Sequence, residues 1–242
     1  DWWKLATHSG NVQNYDLTIN SGGEKLSAVF TGGVYKEDGA VRGYDFTRYN
    51  TMMKLNFKPY SWIAIRPSFN GSKGVIDDRQ RSTYSMYSML PWDSPYDETG
   101  KIVGNRSSSW VNSNSTNYLY ELQYNWSKYD SYAFNGNFDF DIYLTDWLTF
   151  SSVNSYRWST HLDKSYADPR TSGAEGKGRV SESTSTNTRR YTNQLLKATR
   201  SFGDYHGFMM LGYEFNDGEY RYHSSDGTGL VPGFAQLDIT ST

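Results

Sequence analysis

The chain has 242 residues, a formal net charge of −2 and no cysteine. A slightly negative net charge does not favour binding to nucleic acid. The lack of cysteine excludes disulfides and cysteine metal sites. Mean hydropathy is low, at −0.75, and no stretch approaches the roughly 20 consecutive apolar residues that a membrane helix requires. Aromatic residues make up 17% of the chain, a surplus that suits membrane interfaces or stacking on sugar rings.

Alternation of apolar and polar side chains runs through the whole chain. Phe138 and Phe140, for example, alternate with Asp139 and Asp141. A β-strand sends successive side chains to opposite faces, so such segments form strands with one apolar and one polar face. In a transmembrane barrel the apolar face contacts lipid and the polar face contacts water, so no second sheet is needed to cover the apolar face. We therefore interpret the two aspartates as groups facing the lumen.

The alternation predicts eight strands, in the order in which the chain runs. They cover about residues 11–20, 25–36, 44–58, 61–73, 130–144, 147–162, 185–202 and 205–222. The turns after the odd-numbered strands are short, whereas long polar loops are predicted at about 74–129 and 163–184. Outer-membrane barrels sort their connections in this way, with short periplasmic turns and long extracellular loops.

Residues 117–126 alternate weakly and could form a further strand. Counting them as a spanning strand would move the tight turn at Thr145 and Asp146 to the external end, so we assign them to the first long loop.

Four aromatic residues lie beside the short turns. They are Tyr60, Trp62, Trp147 and Tyr205. Their common end predicts a girdle at the periplasmic membrane interface. The alternative is that they are ordinary aromatics closing the strand ends of a soluble core.

Several motifs resemble the start of the barrel in SusC/RagA-type TonB-dependent transporters. In chain order they are Asp1-Trp2, residues 13–17, the Ser-Gly-Gly turn at 21–23, the Gly and Glu-Asp-Gly segment at 33–39, Arg-Tyr-Asn at 48–50, and the segments 89–104, 145–150 and 202–216. The ordered set covers nearly the whole chain. Such transporters are several times longer, and neither a plug domain nor a TonB-contacting segment is present in this sequence.

The resemblance implies an all-β fold: an antiparallel transmembrane β-barrel segment of eight strands within a barrel of about 22. It implies a place in the bacterial outer membrane and uptake of oligosaccharides or peptides. The implied partners are a SusD-like surface lipoprotein as lid and TonB acting through the plug. A dimer of transporter–lipoprotein pairs is also implied.

No catalytic motif is present, so we expect no enzymatic activity, cofactor or metal. The four histidines, His8, His161, His206 and His223, lack metal-ligand spacing. A carboxylate pair for glycoside hydrolysis could be drawn from Asp77, Asp78, Asp93 and Asp97. Aspartate is common in loops because it makes turns, and we favour that explanation.

The first long loop supplies the better binding candidates. Its aromatics Trp92, Tyr96 and Trp110, preceded by Tyr84 and Tyr87, stand among Asn, Ser and Asp residues. Rings in such a setting suit an oligosaccharide, and loops on a rigid scaffold often carry binding. The alternative is packing of the loop against its neighbours or a partner.

Two other functions remain open from the sequence. One is a free-standing eight-stranded barrel that acts as an adhesin or structural protein. Eight strands is the smallest number that closes into a transmembrane barrel. The other is a soluble all-β domain that binds or hydrolyses carbohydrate, whose apolar faces would be covered by protein.

Overall fold

Eight long strands make up most of the computed structural model, which describes residues 1–79, 84–104, 107–112, 115–171, 174 and 176–240. The strands are β1 (Asn11–Gly22), β2 (Leu26–Asp38), β3 (Tyr44–Tyr60), β4 (Ile63–Asp78), β5 (Trp126–Tyr143), β6 (Leu148–Ala167), β7 (Arg179–Phe202) and β8 (Tyr205–Thr228). The helices are α1 (Trp2–Ala6), α2 (Tyr84–Tyr87) and α3 (Tyr118–Tyr124), with a 3-10 turn at Leu237–Ile239.

The strands form one antiparallel sheet in chain order, each paired with its sequence neighbours. β1 pairs only with β2, and β8 pairs only with β7, so the sheet is open at both edges. The predicted all-β, eight-stranded antiparallel fold is confirmed. The sheet is a barrel segment and not a closed barrel.

Strand register separates an apolar face from a polar face. One row across five strands consists of Ile63, Ile142, Phe150, Leu196 and Leu211. We call the side that carries this row the apolar face. Its side chains are widely exposed, as at Leu211, which is 69% exposed.

The opposite side, here called the polar face, carries an equally regular row. It consists of Ser68, Asn137, Ser155, Tyr191 and Asn216. Asp141 also lies on this face, where its carboxylate accepts a 2.7 Å hydrogen bond from Arg66 Nη2. The alternation in the sequence therefore corresponds to two chemically distinct surfaces of one sheet.

The connections are sorted by end, as predicted. Turns of two to four residues lie at 23–25, 61–62, 144–147 and 203–204, all at one end, while the longer segments 39–43, 79–125 and 168–178 lie at the other. Gly203 has a φ of 60° in the two-residue turn between β7 and β8, a left-handed conformation that glycine adopts without steric cost.

The long loops are shorter than the predicted ranges 74–129 and 163–184. β4 runs on to Asp78 and β5 begins at Trp126, while β6 ends at Ala167 and β7 begins at Arg179. The added residues pair in unbroken register, for example Ser165 with Ser181. A ladder of backbone hydrogen bonds needs no apolar alternation where both faces are polar, so periodicity underestimates these strands.

Residues 117–126 do not form a spanning strand, as predicted, but most of them form α3. Asn117 caps this helix, its Oδ1 accepting a 3.1 Å hydrogen bond from Leu119 N. Among the residues that the structure describes, no helix is both long and apolar enough to cross a bilayer.

Candidate functional site

A small domain-like cap covers the long-loop end of the sheet. We call α1 together with the segment 79–125, which contains α2 and α3, the helical cap. Its core contains the buried side chains of Trp2, Ala6, Met86, Met89, Tyr118 and Leu119. Asp1 caps α1, its Oδ1 accepting hydrogen bonds from Trp3 N at 3.1 Å and Lys4 N at 3.4 Å. The cap thus has a hydrophobic core of its own, separate from either face of the sheet.

A buried polar network centred on Asp168 lies beside the cap. The Asp168 carboxylate accepts hydrogen bonds from Arg170 Nε at 2.7 Å and from Arg170 Nη2 at 2.8 Å. It also accepts one from the Tyr166 hydroxyl at 2.9 Å. Asn125 Oδ1 accepts from Asp168 N at 2.9 Å, and Asn125 Nδ2 donates to Glu121 at 2.8 Å. The second loop is therefore tied to α3 and to the start of β5.

The charge state of Asp168 follows from these contacts. Burial on its own raises the pKa of this carboxyl, but the hydrogen bonds from Arg170 and Tyr166 outweigh it and lower the pKa to about 2. The Arg170 guanidinium also lies 4.0 Å from the centre of the Tyr124 ring, within cation–π range. The Asp168–Arg170 ion pair is therefore formed near neutral pH, which suits a structural lock.

Three of the five predicted loop aromatics are exposed at the cap surface. Tyr84 is 76%, Tyr87 72% and Trp92 75% exposed. Tyr87 stacks on Trp3 with 5.7 Å between ring centres and 25° between planes. These rings present flat, accessible faces of the kind on which sugars or peptide side chains stack. Their role in binding stays a prediction.

Tyr96 and Trp110 have other surroundings. Tyr96, 40% exposed, lines a groove of about 440 Å³ together with Arg42 and Leu122. Trp110 packs edge-on against Trp2 at 6.1 Å between ring centres, and its Nε1 donates to the Ser115 carbonyl at 2.8 Å. Trp110 thus supports the cap core, which matches the packing alternative drawn from the sequence.

Trp3 is a surface aromatic of the cap that was not among the residues predicted from the sequence. It follows Trp2 directly, and on a helix two adjacent residues lie about 100° apart, so they cannot both face one core. Trp2 enters the core and Trp3 remains 45% exposed. The adjacent pair Trp2-Trp3 was the available signal, since one ring of such a pair is left at the surface.

The loop carboxylates hold turns in place. Asp93 Oδ2 accepts from Leu90 N at 2.8 Å and from Asn112 Nδ2 at 2.6 Å. Asp97 Oδ1 accepts from Thr99 and from Lys101 N. Hydrogen bonds from Thr99 and Lys101 lower the pKa of Asp97. Both groups make turns, as the sequence favoured.

The other candidates for metal or acid–base chemistry are dispersed. Asp77 and Asp78 are successive residues of β4 and point to opposite faces. Within the described ranges, no group of three or more His, Asp or Glu side chains could hold a metal ion.

The four aromatics of the predicted girdle all lie at the short-turn end. Tyr60 and Trp62 stack face to face at 5.7 Å with 3° between their planes. Arg200 lies over the Trp147 ring at 5.8 Å, and Tyr205 is 81% exposed. Their position is as predicted. Contact with a membrane interface is a prediction that rests on this position.

Comparison with solved structures finds the same fold in peptide importers. The structure of the RagAB peptide importer in the "closed-closed" state matches 100% of this chain with a TM-score of 0.80 and 15% identity. A structure of the RagAB peptide transporter gives the same values. The "open-open" state of the importer gives a TM-score of 0.73 at 15% identity. This chain spans 28% of the length of each of those chains.

No protein-family model matches the sequence, and no curated protein matches it. The fold implied by the resemblance to SusC/RagA-type barrels is confirmed by the structural matches. At this identity the matches establish the fold alone.

Proposed function

We propose that this chain is part of the wall and external surface of an outer-membrane importer for peptides or oligosaccharides. The observation that carries the proposal is a sheet with one apolar and one polar face and its connections sorted by end. All of this chain matches part of the RagAB importer structure. The apolar face would meet lipid, and the polar face would line the transport path. The role is transport and not catalysis.

The exposed apolar face argues against a soluble domain. Such a domain would cover this face with protein, yet Leu17 and Met209 are 60% and 69% exposed. A lipid environment supplies the missing apolar contact along a face of this length. The β8 apolar stretch from Tyr205 to Phe215 covers 11 residues, close to the 9–11 residues with which a tilted strand spans a bilayer.

The open sheet argues against a free-standing eight-stranded barrel. In such a barrel β1 would pair with β8, but neither strand has a partner on its outer side. Unpaired edges of this length expose backbone groups that cannot be left unsatisfied in lipid. We infer that further strands of the whole protein continue the sheet on both sides.

The partners proposed for the whole protein follow from the same likeness. A SusD-like surface lipoprotein would close over the long-loop end, where the helical cap presents Trp3, Tyr84, Tyr87 and Trp92. Substrate would be captured between lid and cap, and a plug would shift under TonB to admit it. Two such transporter–lipoprotein pairs would form the dimer.

Uptake by cells tests the proposal. Cells with and without the full-length protein would be given a labelled peptide mixture and a labelled oligosaccharide mixture. We expect one class to accumulate only when the protein is present, and accumulation to stop when TonB is removed. Protein extracted from outer membranes in detergent should bring a lipoprotein with it.

Two results would refute the importer. One is equal uptake of both mixtures by cells with and without the protein. The other is recovery of the native protein from the soluble fraction at the 27.8 kDa of this chain.

A further inference from the structure

Two arginines on the polar face lie directly opposite each other. Arg157 on β6 is the register partner of Arg189 on β7, and the same row continues to Asn135 on β5 and Gly218 on β8. Directly opposed residues of an antiparallel pair have Cβ atoms about 4.5–5.5 Å apart, and like charges in this position destabilise a sheet. The two guanidinium groups therefore repel each other across the ladder, and an anion lying against both would relieve this repulsion.

Neither guanidinium is neutralised by a group in the part of the chain that the structure describes. Among the described residues, Arg157 and Arg189 form no ion pair and no side-chain hydrogen bond. Other arginines of these strands do find acids: Arg190 Nη1 lies 3.0 Å from Asp217 Oδ2 on the apolar face, and Arg66 bonds Asp141 on the polar face. The arrangement leaves two adjacent positive charges open on the polar face.

These arginines border a recess in the polar face. A cavity of about 280 Å³ is lined by Ser155, Arg157, Arg189, Tyr191 and Asn216. All five side chains belong to the polar face, in two adjacent rows of the sheet. Tyr191 OH accepts a 3.1 Å hydrogen bond from Asn193 Nδ2 and keeps its own proton to donate. The recess combines two charged donors with neutral hydroxyl and amide donors.

We propose that Arg157 and Arg189 form a binding site for a carboxylate group of the transported oligomer. The guanidinium fork matches a carboxylate in geometry and binds it with two parallel hydrogen bonds. The carboxylate would be that of a peptide or that of a uronic acid in an oligosaccharide. This inference rests on the importer proposed above, because it takes the polar face as the transport path.

Gly218 gives a way to fill the site from within. It faces Arg189 across the β7–β8 ladder, and a Cβ built there would meet Arg189 Cγ at 3.8 Å, an ordinary contact. Gly218→Asp would place a carboxylate beside the arginines and compete with the ligand. Gly218→Asn has the same size without the charge and is the matched control.

Binding is measured on the full-length protein purified from membranes in detergent. The first probes are an N-acetylated alanine pentapeptide with a free terminal carboxylate and the same N-acetylated peptide as its carboxamide. The second are a trimer of galacturonic acid and a neutral galactose trimer. We expect the acid of one pair to bind about tenfold more tightly than its neutral counterpart. The pair that shows this preference identifies the source of the carboxylate.

The variants decide whether the arginines are responsible. The double change Arg157→Gln with Arg189→Gln, and separately Gly218→Asp, should bring the acid-to-neutral ratio to about one. Gly218→Asn should preserve the ratio, as should Arg190→Gln with Asp217→Asn, which removes a neutralised pair at the same height on the opposite face.

A ratio of one in the unmodified protein for both pairs would overturn the site, and so would a preference that survives in the double variant. The uptake experiment above judges the importer separately. Loss of the acid preference in the variants, in a protein that imports nothing, would support the site and refute the importer.

Discussion

The two ends of this sheet are stabilised in different ways. At the short-turn end the strands meet in tight hairpins whose aromatics, such as Tyr60 and Trp62, stack on each other at the surface. At the long-loop end the chain builds a core around Tyr118 and a buried network around Asp168, both 1% exposed. The second end folds on itself, whereas the rest of the sheet offers its apolar face to its surroundings.

This difference separates the sources of stability. The cap buries its own apolar groups and satisfies its own polar groups, so its stability is a property of the chain. The apolar face gains burial only from what surrounds it, which under the proposed function is lipid. Substitutions at the cap should therefore act in any solvent, while those on the apolar face should depend on the membrane.

The largest expected effect is loss of the cap core. Tyr118→Ala removes a buried ring and should destabilise the cap by about 4 kcal/mol. Amide exchange in α3 should then accelerate by about a thousandfold, while the strand ladders keep their protection. Hydrogen–deuterium exchange with mass spectrometry measures both. Tyr87→Ala, at an exposed ring of the same end, is the control and should leave α3 unchanged.

Acceleration in the strands as large as in α3 would show that cap and sheet unfold together. The cap would then have no stability of its own, separate from that of the sheet.

The next effect tests the apolar face. Leu211→Lys places a charge near the middle of that face and should cost about 3 kcal/mol in a bilayer. Met210→Lys, one residue away on the polar face beside Lys197, should cost less than about 1 kcal/mol. Denaturant titration of the protein folded into lipid vesicles gives both values. Equal costs would mean that the two faces meet the same solvent.

How far the sequence predicts this structure depends on the range of the interactions. Alternation is a local pattern with period two, so it reveals Phe138 and Asp139 as residues of opposite faces and places the short turns correctly. It underestimates β7, whose first residues are polar on both sides apart from Val180. Five- to seven-residue helices such as α1 and α3 give too few turns for a helical period to be visible.

The candidate site was harder to predict because its contacts are distant in sequence. Trp110 packs edge-on against Trp2, more than a hundred residues away, and no local pattern reports that contact. The facing of Arg157 and Arg189 depends on the register of two long strands. Exposure of Tyr84, Tyr87 and Trp92 agrees with their setting among polar residues, which is a local property.

The smallest expected effect concerns the acid sensitivity of the second loop. The pKa of Asp168 is lowered from 3.8 to about 2 in the folded protein. A lowered carboxyl pKa contributes stability that is complete above about pH 4 and is lost as pH falls through about 2, here about 2 kcal/mol. Pepsin cleavage between residues 168 and 178, followed by mass spectrometry from pH 4 to pH 2, should therefore rise steeply.

Asp168→Asn removes the titrating group, so its cleavage relative to an unstructured reference peptide should already be high at pH 4 and show no such rise. A steep rise that persists in Asp168→Asn would assign the acid sensitivity to another group and leave the cap without its proposed lock.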